Sequence, residues 1–337
     1  MIKIVMDAFG GDFAPAAVVE GAVLALDRFE DIEIILCGKE DALQKELIQH
    51  SYDKGRIAIV HAPDVIDCHD QPTFAVKKKK ESSLVKALQM VADHQADAIV
   101  SAGSTGALLT GATLIVRRIK GVKRPALAPL LPTAKGGWIM LIDCGANTDC
   151  KPSYLAQFSV MATAYMKHAM GLEQPRVALL NNGAEAEKGN ELTKAAYRLM
   201  EQAPICFAGN CEARDILSGD YDALVCDGFA GNIVLKYTEG LSATIMSMLK
   251  DELMADGRSK LGAALAKPAF RRFKKKMDYK EVGGAPLLGI DGCVIKAHGS
   301  SDGKAFANAV MQARNFAQSG VNQALAQAIS ALPEMED

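Results

Sequence analysis

Short runs of apolar residues alternate along the chain with longer segments whose apolar positions recur at helical spacing. Seven of the runs are predicted to be strands: Ile2–Met6, Ile32–Leu36, Ile57–Val60, Ala98–Ser101, Trp138–Ile142, Val177–Leu180 and Ala223–Cys226. They are apolar almost without interruption, which is typical of strands covered by helices on both faces. Strands and helices in alternation form right-handed βαβ units, so the pattern predicts an α/β fold with a mostly parallel sheet.

The segments between these runs complete the predicted organisation. Apolar residues recur every three or four positions in 84–91 and in 241–249, which predicts a helix in each. Proline punctuates residues 124–132, which we expect to form a sheet edge or a contact between two copies of the chain. Because no low-complexity linker or repeat divides the sequence, we expect residues 1–337 to form a single α/β domain.

Five predicted loops share a composition rich in Gly, Asn, Asp, Ser and Thr. They follow predicted strands and cover residues 7–12, 101–106, 143–149, 181–190 and 227–232. Parallel strands bring their carboxyl ends to one edge of a sheet, where α/β proteins bind ligands. Glycine lets backbone N–H groups approach a ligand closely, and the start of a helix favours an anion. One such loop is usually only a tight turn, but five on one edge predict a cleft that binds phosphate.

Composition and charge exclude several classes of protein. The chain is 49% hydrophobic and 23% charged with a formal net charge of −2, which is ordinary for a globular protein and unlike one whose whole surface binds nucleic acid. The eight cysteines form no C-x-x-C pair, no histidine stands at zinc-ligand spacing, and no signal peptide precedes the first strand. We therefore expect reduced cysteines, no metal site and a cytoplasmic protein.

Standard catalytic motifs do not occur in the sequence. It contains neither a G-x-G-x-x-G nor a G-x-x-x-x-G-K-[ST] segment, and it lacks a G-x-S-x-G nucleophile elbow. The six histidines are too scattered to define a triad. His298 stands before a run of small residues at the entrance of a predicted helix, where a functional role and a packing role fit equally well.

Ten blocks of the sequence resemble signature segments of the bacterial phosphate acyltransferase (PlsX) family. They occur in the same order over nearly the whole chain, at 7–15, 78–83, 101–107, 124–127, 143–149, 188–191, 209–215, 226–232, 283–289 and 298–301. Three positions depart from that pattern. Phe9, Ser104 and Ala184 stand where the family usually has methionine, asparagine and an acidic residue.

The resemblance implies a fold and a reaction. The implied fold is a three-layer α/β/α sandwich, similar to isocitrate and isopropylmalate dehydrogenases and to phosphotransacetylases. The implied reaction transfers a long fatty acyl group from acyl carrier protein to inorganic phosphate, which yields acyl phosphate for phospholipid synthesis. The resemblance also implies a homodimer that needs no cofactor.

Phosphate is itself a nucleophile at neutral pH, so such a site only has to hold the anion, align it and stabilise the developing oxyanion. Lys188 is the candidate that neutralises charge, Asp227 orients a donor or accepts a proton, and Asn232 and His298 are the candidate oxyanion donors. The candidate phosphate-binding residues are Gly10, Gly11, Ser104 and Thr105.

Residues 258–280 form a basic segment with interleaved apolar side chains, in which Pro268 is predicted to break a helix into two pieces. Three interpretations compete: a solvated face, a docking surface for the acidic carrier protein, and an amphipathic contact with an anionic membrane. The resemblance favours the membrane, and we expect peripheral attachment to its inner face. The contact candidates are Leu261, Leu265, Phe270, Arg271, Arg272, Phe273, Lys274 and Lys275. A second basic run at 77–80 suits either the carrier protein or solvent.

Three other functions remain as alternatives. A short-chain phosphate acyltransferase would use coenzyme A in place of the carrier protein. An NAD-dependent hydroxyacid dehydrogenase of the same fold would need a nucleotide loop and an aspartate cluster that the motifs do not supply. A scaffold that binds the carrier protein or a membrane would need no catalytic site.

Overall fold

A computed structural model describes residues 1–277 and 283–333 of the chain. The strands in these ranges are β1 (Ile2–Asp7), β2 (Ile32–Gly38), β3 (Ile57–His61), β4 (Ala98–Ser101), β5 (Ala126–Leu127), β6 (Leu130–Pro132), β7 (Trp138–Ile142), β8 (Arg176–Asn181), β9 (Cys206–Glu212), β10 (Ala223–Val225), β11 (Gly284–Leu288) and β12 (Cys293–Ala297). The helices are α1 (Ala16–Arg28), α2 (Glu40–Leu47), α3 (Pro72–Lys78), α4 (Ser83–Ala92), α5 (Thr105–Gly111), α6 (Pro152–His168), α7 (Glu191–Glu201), α8 (Gly228–Leu253), α9 (Gly257–Met277), α10 (Gly303–Gln318) and α11 (Val321–Ser330).

The strands form two sheets, where the sequence predicts one. A seven-stranded sheet has the order β3-β2-β1-β4-β12-β11-β5, and a five-stranded sheet has the order β6-β7-β10-β8-β9. Pairing is parallel except for β11 and β5 at one end of the larger sheet and β6 at one edge of the smaller. All seven predicted strands are present, and the predicted α/β class is confirmed.

Helices cover both faces of each sheet. In β1, the side chains of Ile4 and Met6 belong to a buried cluster with α1 and α10, whereas Val5 between them packs in a second cluster with α4. In β8, Leu179 lies in the cluster that contains α6, and Ala178 packs on the opposite face with the start of α8. The predicted three-layer arrangement is confirmed, and it explains why the central residues of these strands are apolar on both faces.

Residues 126–132 join the two sheets. β5 lies at the edge of the larger sheet and β6 at the edge of the smaller. The backbone N–H of Leu141 donates to the carbonyl of Pro129 at 2.9 Å, and that of Cys144 donates to the carbonyl of Leu127 at 2.9 Å. The predicted sheet edge is therefore confirmed, while the contact between two copies stays a prediction. This crossing brings the end of β7 next to the larger sheet.

The long helices α8 and α9 form a hairpin. The prediction that Pro268 breaks the second of them is wrong, because α9 runs without interruption from Gly257 to Met277. Proline removes a single i→i−4 hydrogen bond, and the carbonyl left over belongs to Ala264, which is exposed and can bond to water. The predicted helix over 241–249 lies within α8, but its apolar face points outward, with Ile245 53% and Met248 63% exposed.

No helix within residues 1–277 and 283–333 combines the length and the apolar character needed to cross a bilayer. The uncharged stretch 98–116 is divided among β4, α5 and a π-helical turn at Ala112–Val116. Most cysteines are buried as predicted, and Cys68 is the exposed exception among the described cysteines.

Candidate active site

The loops that follow β1, β4 and β12 meet at one place. A Cβ on Gly10 would lie 2.6 Å from the backbone nitrogen of Gly103, so only glycine allows this approach. Gly11 has a φ of +107°, and its neighbour Asp12 donates its backbone N–H to the carbonyl of Gly299 at 2.8 Å. The structure therefore brings the predicted phosphate loop at 7–12 into contact with the loops that follow β4 and β12.

A buried carboxylate connects β1 to its neighbours. Asp7 accepts a hydrogen bond from Ser83 Oγ at 2.6 Å on Oδ1 and from Ser101 Oγ at 2.7 Å on Oδ2. Burial raises the pKa of Asp7, and the two hydroxyl donors act in the opposite direction. Asp7 therefore links the end of β1 to the start of α4 and to the end of β4.

Asp143 has the equivalent position at the end of β7 in the smaller sheet. Its Oδ1 accepts the backbone N–H of Leu127 at 2.8 Å, and its Oδ2 accepts the backbone N–H of Asn147 at 2.7 Å and the amide of the same residue at 2.9 Å. Burial raises the pKa of Asp143, while these hydrogen bonds lower it. One carboxylate thus fixes the 143–149 loop and anchors β5 to it.

A cavity of about 340 Å³ lies between the two sheets, lined by residues that follow β4, β7 and β12 and by the first turns of α8. Its apolar walls include Leu127, Leu130, Leu131 and Leu235. Its polar lining includes Thr105, Asn232, Lys236, Glu239, Lys296 and His298. The volume is within the range of small-ligand sites, and leucine walls with a few convergent polar groups are typical of them. Three residues predicted for the site, Thr105, Asn232 and His298, therefore line one cavity. The predicted phosphate-binding residues Gly10 and Gly11 are not among the residues that line it, so their role stays a prediction.

Two lysines of this cavity, Lys236 and Lys296, were not predicted from the sequence. Lys296 is partly buried in β12, and its Nζ donates to the carbonyl of Ala297. Burial lowers the pKa of Lys296 to about 8, an effect that the charge of Asp7 opposes. Lys236 forms an ion pair with Glu239 at 2.9 Å. A signal existed for both, since Lys296 interrupts an apolar strand and Lys236 follows Asn232 by one helical turn.

The tautomer of His298 follows from its neighbours. The backbone N–H of Ser300 donates to Nδ1 of His298 at 3.2 Å, and Ser300 Oγ lies 2.9 Å from the same atom. Because Nδ1 accepts, the neutral ring carries its proton on Nε2, where it is a hydrogen-bond donor. His298 is thus able to stabilise negative charge without being cationic.

Other predicted residues have structural contacts or lie outside the cavity lining. Asp227 caps α8 by accepting the N–H of Ala230 at 2.8 Å, and Ser104 caps α5 by accepting the N–H of Ala107 at 3.4 Å. Lys188 lies in the 181–190 loop and is not among the residues that line the cavity. The predicted catalytic roles of Asp227 and Lys188 and the phosphate role of Ser104 stay predictions.

The predicted contact residues of the basic segment lie along α9. Leu261 is 66% exposed, Leu265 78% and Phe273 47%. Arg271 and Arg272 are also exposed, whereas Phe270 is partly buried and lines an apolar cleft between α8 and α9. Lys274 and Lys275 belong to α9, but their side chains lie outside the described part of the structure.

The two sheets, the helices on their faces and the cavity between the sheets define a three-layer α/β protein with a cavity of small-ligand size. The EutD phosphotransacetylase from Staphylococcus aureus superposes with a TM-score of 0.59 at 17% identity, over 98% of this chain and 94% of that one. A 4-hydroxythreonine-4-phosphate dehydrogenase from Klebsiella pneumoniae superposes with a TM-score of 0.55 at 14% identity, over 94% and 99% of the two chains. These similarities establish the fold.

Sequence similarity establishes the family. A family model described as "Fatty acid synthesis protein" matches residues 2–324. A phosphate acyltransferase from Clostridium perfringens is 55% identical over 94% of this chain and 93% of its own length. A phosphate acyltransferase from Clostridium novyi is 52% identical over 95% and 96% of the two chains. The chain belongs to the phosphate acyltransferase family, as its sequence blocks indicate.

Proposed function

We propose that this protein transfers a long-chain fatty acyl group from the thioester of acyl carrier protein to inorganic phosphate. The observation that carries the proposal is the composition of one cavity. Lys236 and Lys296 supply positive charge, Asn232 and His298 supply donors, and leucine side chains form the remaining walls. This combination suits an anion that reacts with a carbonyl group attached to an apolar chain.

The proposed step is direct displacement at the thioester. A phosphate oxygen attacks the carbonyl carbon, the C–O bond forms, and the C–S bond breaks after a tetrahedral intermediate. The carrier thiolate leaves and takes up a proton from solvent or from phosphate. Asn232 and the Nε2–H of His298 donate to the oxyanion, and Lys296 holds phosphate in place. No covalent enzyme intermediate is required, because phosphate is the nucleophile.

The reaction is tested by incubating the purified protein with palmitoyl-carrier protein and labelled phosphate. Trapping with hydroxylamine should yield the hydroxamate only when both substrates are present. The matched control is acetyl-CoA, because the similarity of the fold to phosphotransacetylases supports a short-chain acyltransferase as the second candidate. A product from acetyl-CoA alone would favour that candidate, and no product from either substrate would favour a scaffold.

We also propose that a second copy of the chain covers the exposed face of α8. Ile233, Tyr237, Leu241, Ile245 and Met248 follow one another at intervals of three or four residues and are all more than 40% exposed. An apolar stripe of this kind usually marks an interface. Replacing Ile245 by Asp should convert a dimer to a monomer in light scattering, while replacing the exposed Lys250 by Asp should not.

The exposed apolar residues of α9 support the proposed contact with an anionic membrane. Leu261 and Leu265 stand one turn apart, with Arg271 and Arg272 further along the same helix. In flotation assays the protein should bind anionic vesicles more than neutral ones, and Leu265→Ser should bind less than the matched variant Ala264→Ser. Equal binding to both lipids would reject the membrane contact and leave carrier-protein docking and a solvated basic face as the two alternatives.

A further inference from the structure

A cluster of three different metal-binding side chains lies outside the cavity, in the loop before α3. Asp67, Cys68 and His69 are consecutive and exposed, and their ligand atoms all lie within 4.8 Å of one another. A carboxylate, a thiol and an imidazole are the three side-chain types that Zn²⁺ prefers. Among the described residues, this is the group whose donors converge in this way.

Asp67 and Cys68 are already in contact without a cation. The Cys68 thiol donates a hydrogen bond to Asp67 Oδ1 at 3.5 Å, and the backbone N–H of His69 donates to the same oxygen at 2.9 Å. In a tetrahedral zinc site, bonds of about 2.3 Å to sulfur and about 2.0 Å to oxygen place the sulfur and oxygen atoms about 3.5 Å apart. The imidazole of His69 needs a movement on the order of 1 Å to complete the set at tetrahedral distances. An exposed side chain makes such a movement by rotation.

The turn that carries the three donors is held in place before any ligand binds. The backbone N–H of Asp67 donates to Asp70 Oδ2 at 2.8 Å, and that of Asp70 donates to the carbonyl of Asp67 at 3.2 Å. Lys79 forms an ion pair with Asp70 and donates to the carbonyl of Val65 at 3.0 Å. Because α3 and Asp70 fix the loop, binding requires little ordering of the backbone.

We propose that Asp67, Cys68 and His69 form a binding site for Zn²⁺ or a cation of similar chemistry, with the fourth coordination position open to water. Binding breaks the S–H bond of Cys68, forms a metal–sulfur bond and releases the proton to solvent. His69 binds as the neutral imidazole, and Asp67 contributes one carboxylate oxygen. This site is independent of the proposed acyl transfer.

Cobalt titration of the full-length protein under reducing, oxygen-free conditions tests the proposal. Co²⁺ should produce a near-ultraviolet thiolate-to-metal absorption band that saturates at one equivalent per chain, and Zn²⁺ should abolish it by displacement. Cys68→Ser should lose the band, and His69→Ala should weaken binding at least about tenfold. Circular dichroism of each variant checks that it is folded.

Cys206→Ser is the matched control, because Cys206 is a partly accessible cysteine in a different part of the fold. This variant should keep the full band and the affinity of the unmodified protein. The proposal is overturned if the unmodified protein gives no band, or if the band persists in Cys68→Ser.

Discussion

Replacing Lys296 by methionine tests whether the positive charge of this lysine in the cavity lowers the stability of the folded protein. Burial lowers the pKa of this lysine from 10.5 to about 8. At about 1.4 kcal/mol for each pH unit, the protonated lysine opposes folding by roughly 3 kcal/mol at pH 7. Methionine has a similar length and no charge, so the Lys296→Met substitution removes this unfavourable contribution to the free energy of folding. The carbonyl of Ala297 loses its donor, which costs about 1 kcal/mol in return.

The sign of the pH dependence follows from the direction of the pKa change. Between pH 8 and 10.5 the unfolded chain holds a proton on Lys296 that the folded chain has released. Stability therefore rises with pH in this window, because the unfolded state binds more protons. The Lys296→Met variant lacks this contribution, so its advantage should be largest near pH 7 and should vanish above pH 10.5.

Urea denaturation at several pH values measures the effect. At pH 7 the Lys296→Met variant should be about 1 to 3 kcal/mol more stable than the unmodified protein, while its acyl-phosphate formation falls. The control is Lys236→Met. The side chain of Lys236 is 55% exposed and paired with Glu239, so its loss should change stability by less than about 1 kcal/mol. A Lys296→Met variant that is less stable at pH 7, or whose advantage persists above pH 10.5, would refute the reasoning.

Other outcomes follow from the same structure. Asn232→Ala should lower kcat about a hundredfold without loss of fold, as expected for one oxyanion donor, whereas unchanged kcat would remove Asn232 from the reaction. The kcat/KM of the unmodified protein should fall above about pH 8 as Lys296 loses its proton, and Lys296→Arg should move that fall to higher pH; a flat profile to pH 9.5 would contradict it. Gly231→Ala should destabilise the protein by more than about 3 kcal/mol, because its Cβ would lie 1.9 Å from the carbonyl oxygen of Asp143, whereas Gly240→Ala in the same helix meets nothing within 4 Å and should stabilise by up to about 1 kcal/mol. Relative to the unmodified protein, the denaturation midpoint should fall for Gly231→Ala and rise for Gly240→Ala.

Burial on both faces made much of the fold predictable. The predicted strands are apolar almost throughout, and helices cover both faces of most of them. β3, at the edge of the larger sheet, is only partly covered. Strands with other patterns escaped prediction. β9 contains Gly209 and Asn210, and β11 contains Pro286 near the end of a sheet, so neither shows an uninterrupted apolar run. The division into two sheets has no local signal, because it depends on which strands pair.

The candidate site was predicted only in part, because several of its residues lie in segments without a recognised sequence pattern. Asn232 and His298 were predicted from loops rich in small residues, and both line the cavity. Lys296 was missed because it lies in β12, a strand that was not predicted, so its interruption of the apolar run Cys293–Ala297 was not recognised as a signal. Asp67, Cys68 and His69 escaped prediction because consecutive residues match no standard metal-ligand spacing. Their convergence depends on side-chain directions in one turn, which spacing alone does not determine.

The length of α8 sets a distance between the cavity and the far end of the hairpin. Asn232 lies in its first turns, and the helix continues to Leu253, about 39 Å from its start at 1.5 Å per residue. That length is comparable to the diameter of a small folded domain. If the proposed membrane contact is made at the turn between α8 and α9, the length of α8 separates the cavity from the lipid surface. The proposed carrier protein could then reach the cavity without entering the headgroup layer.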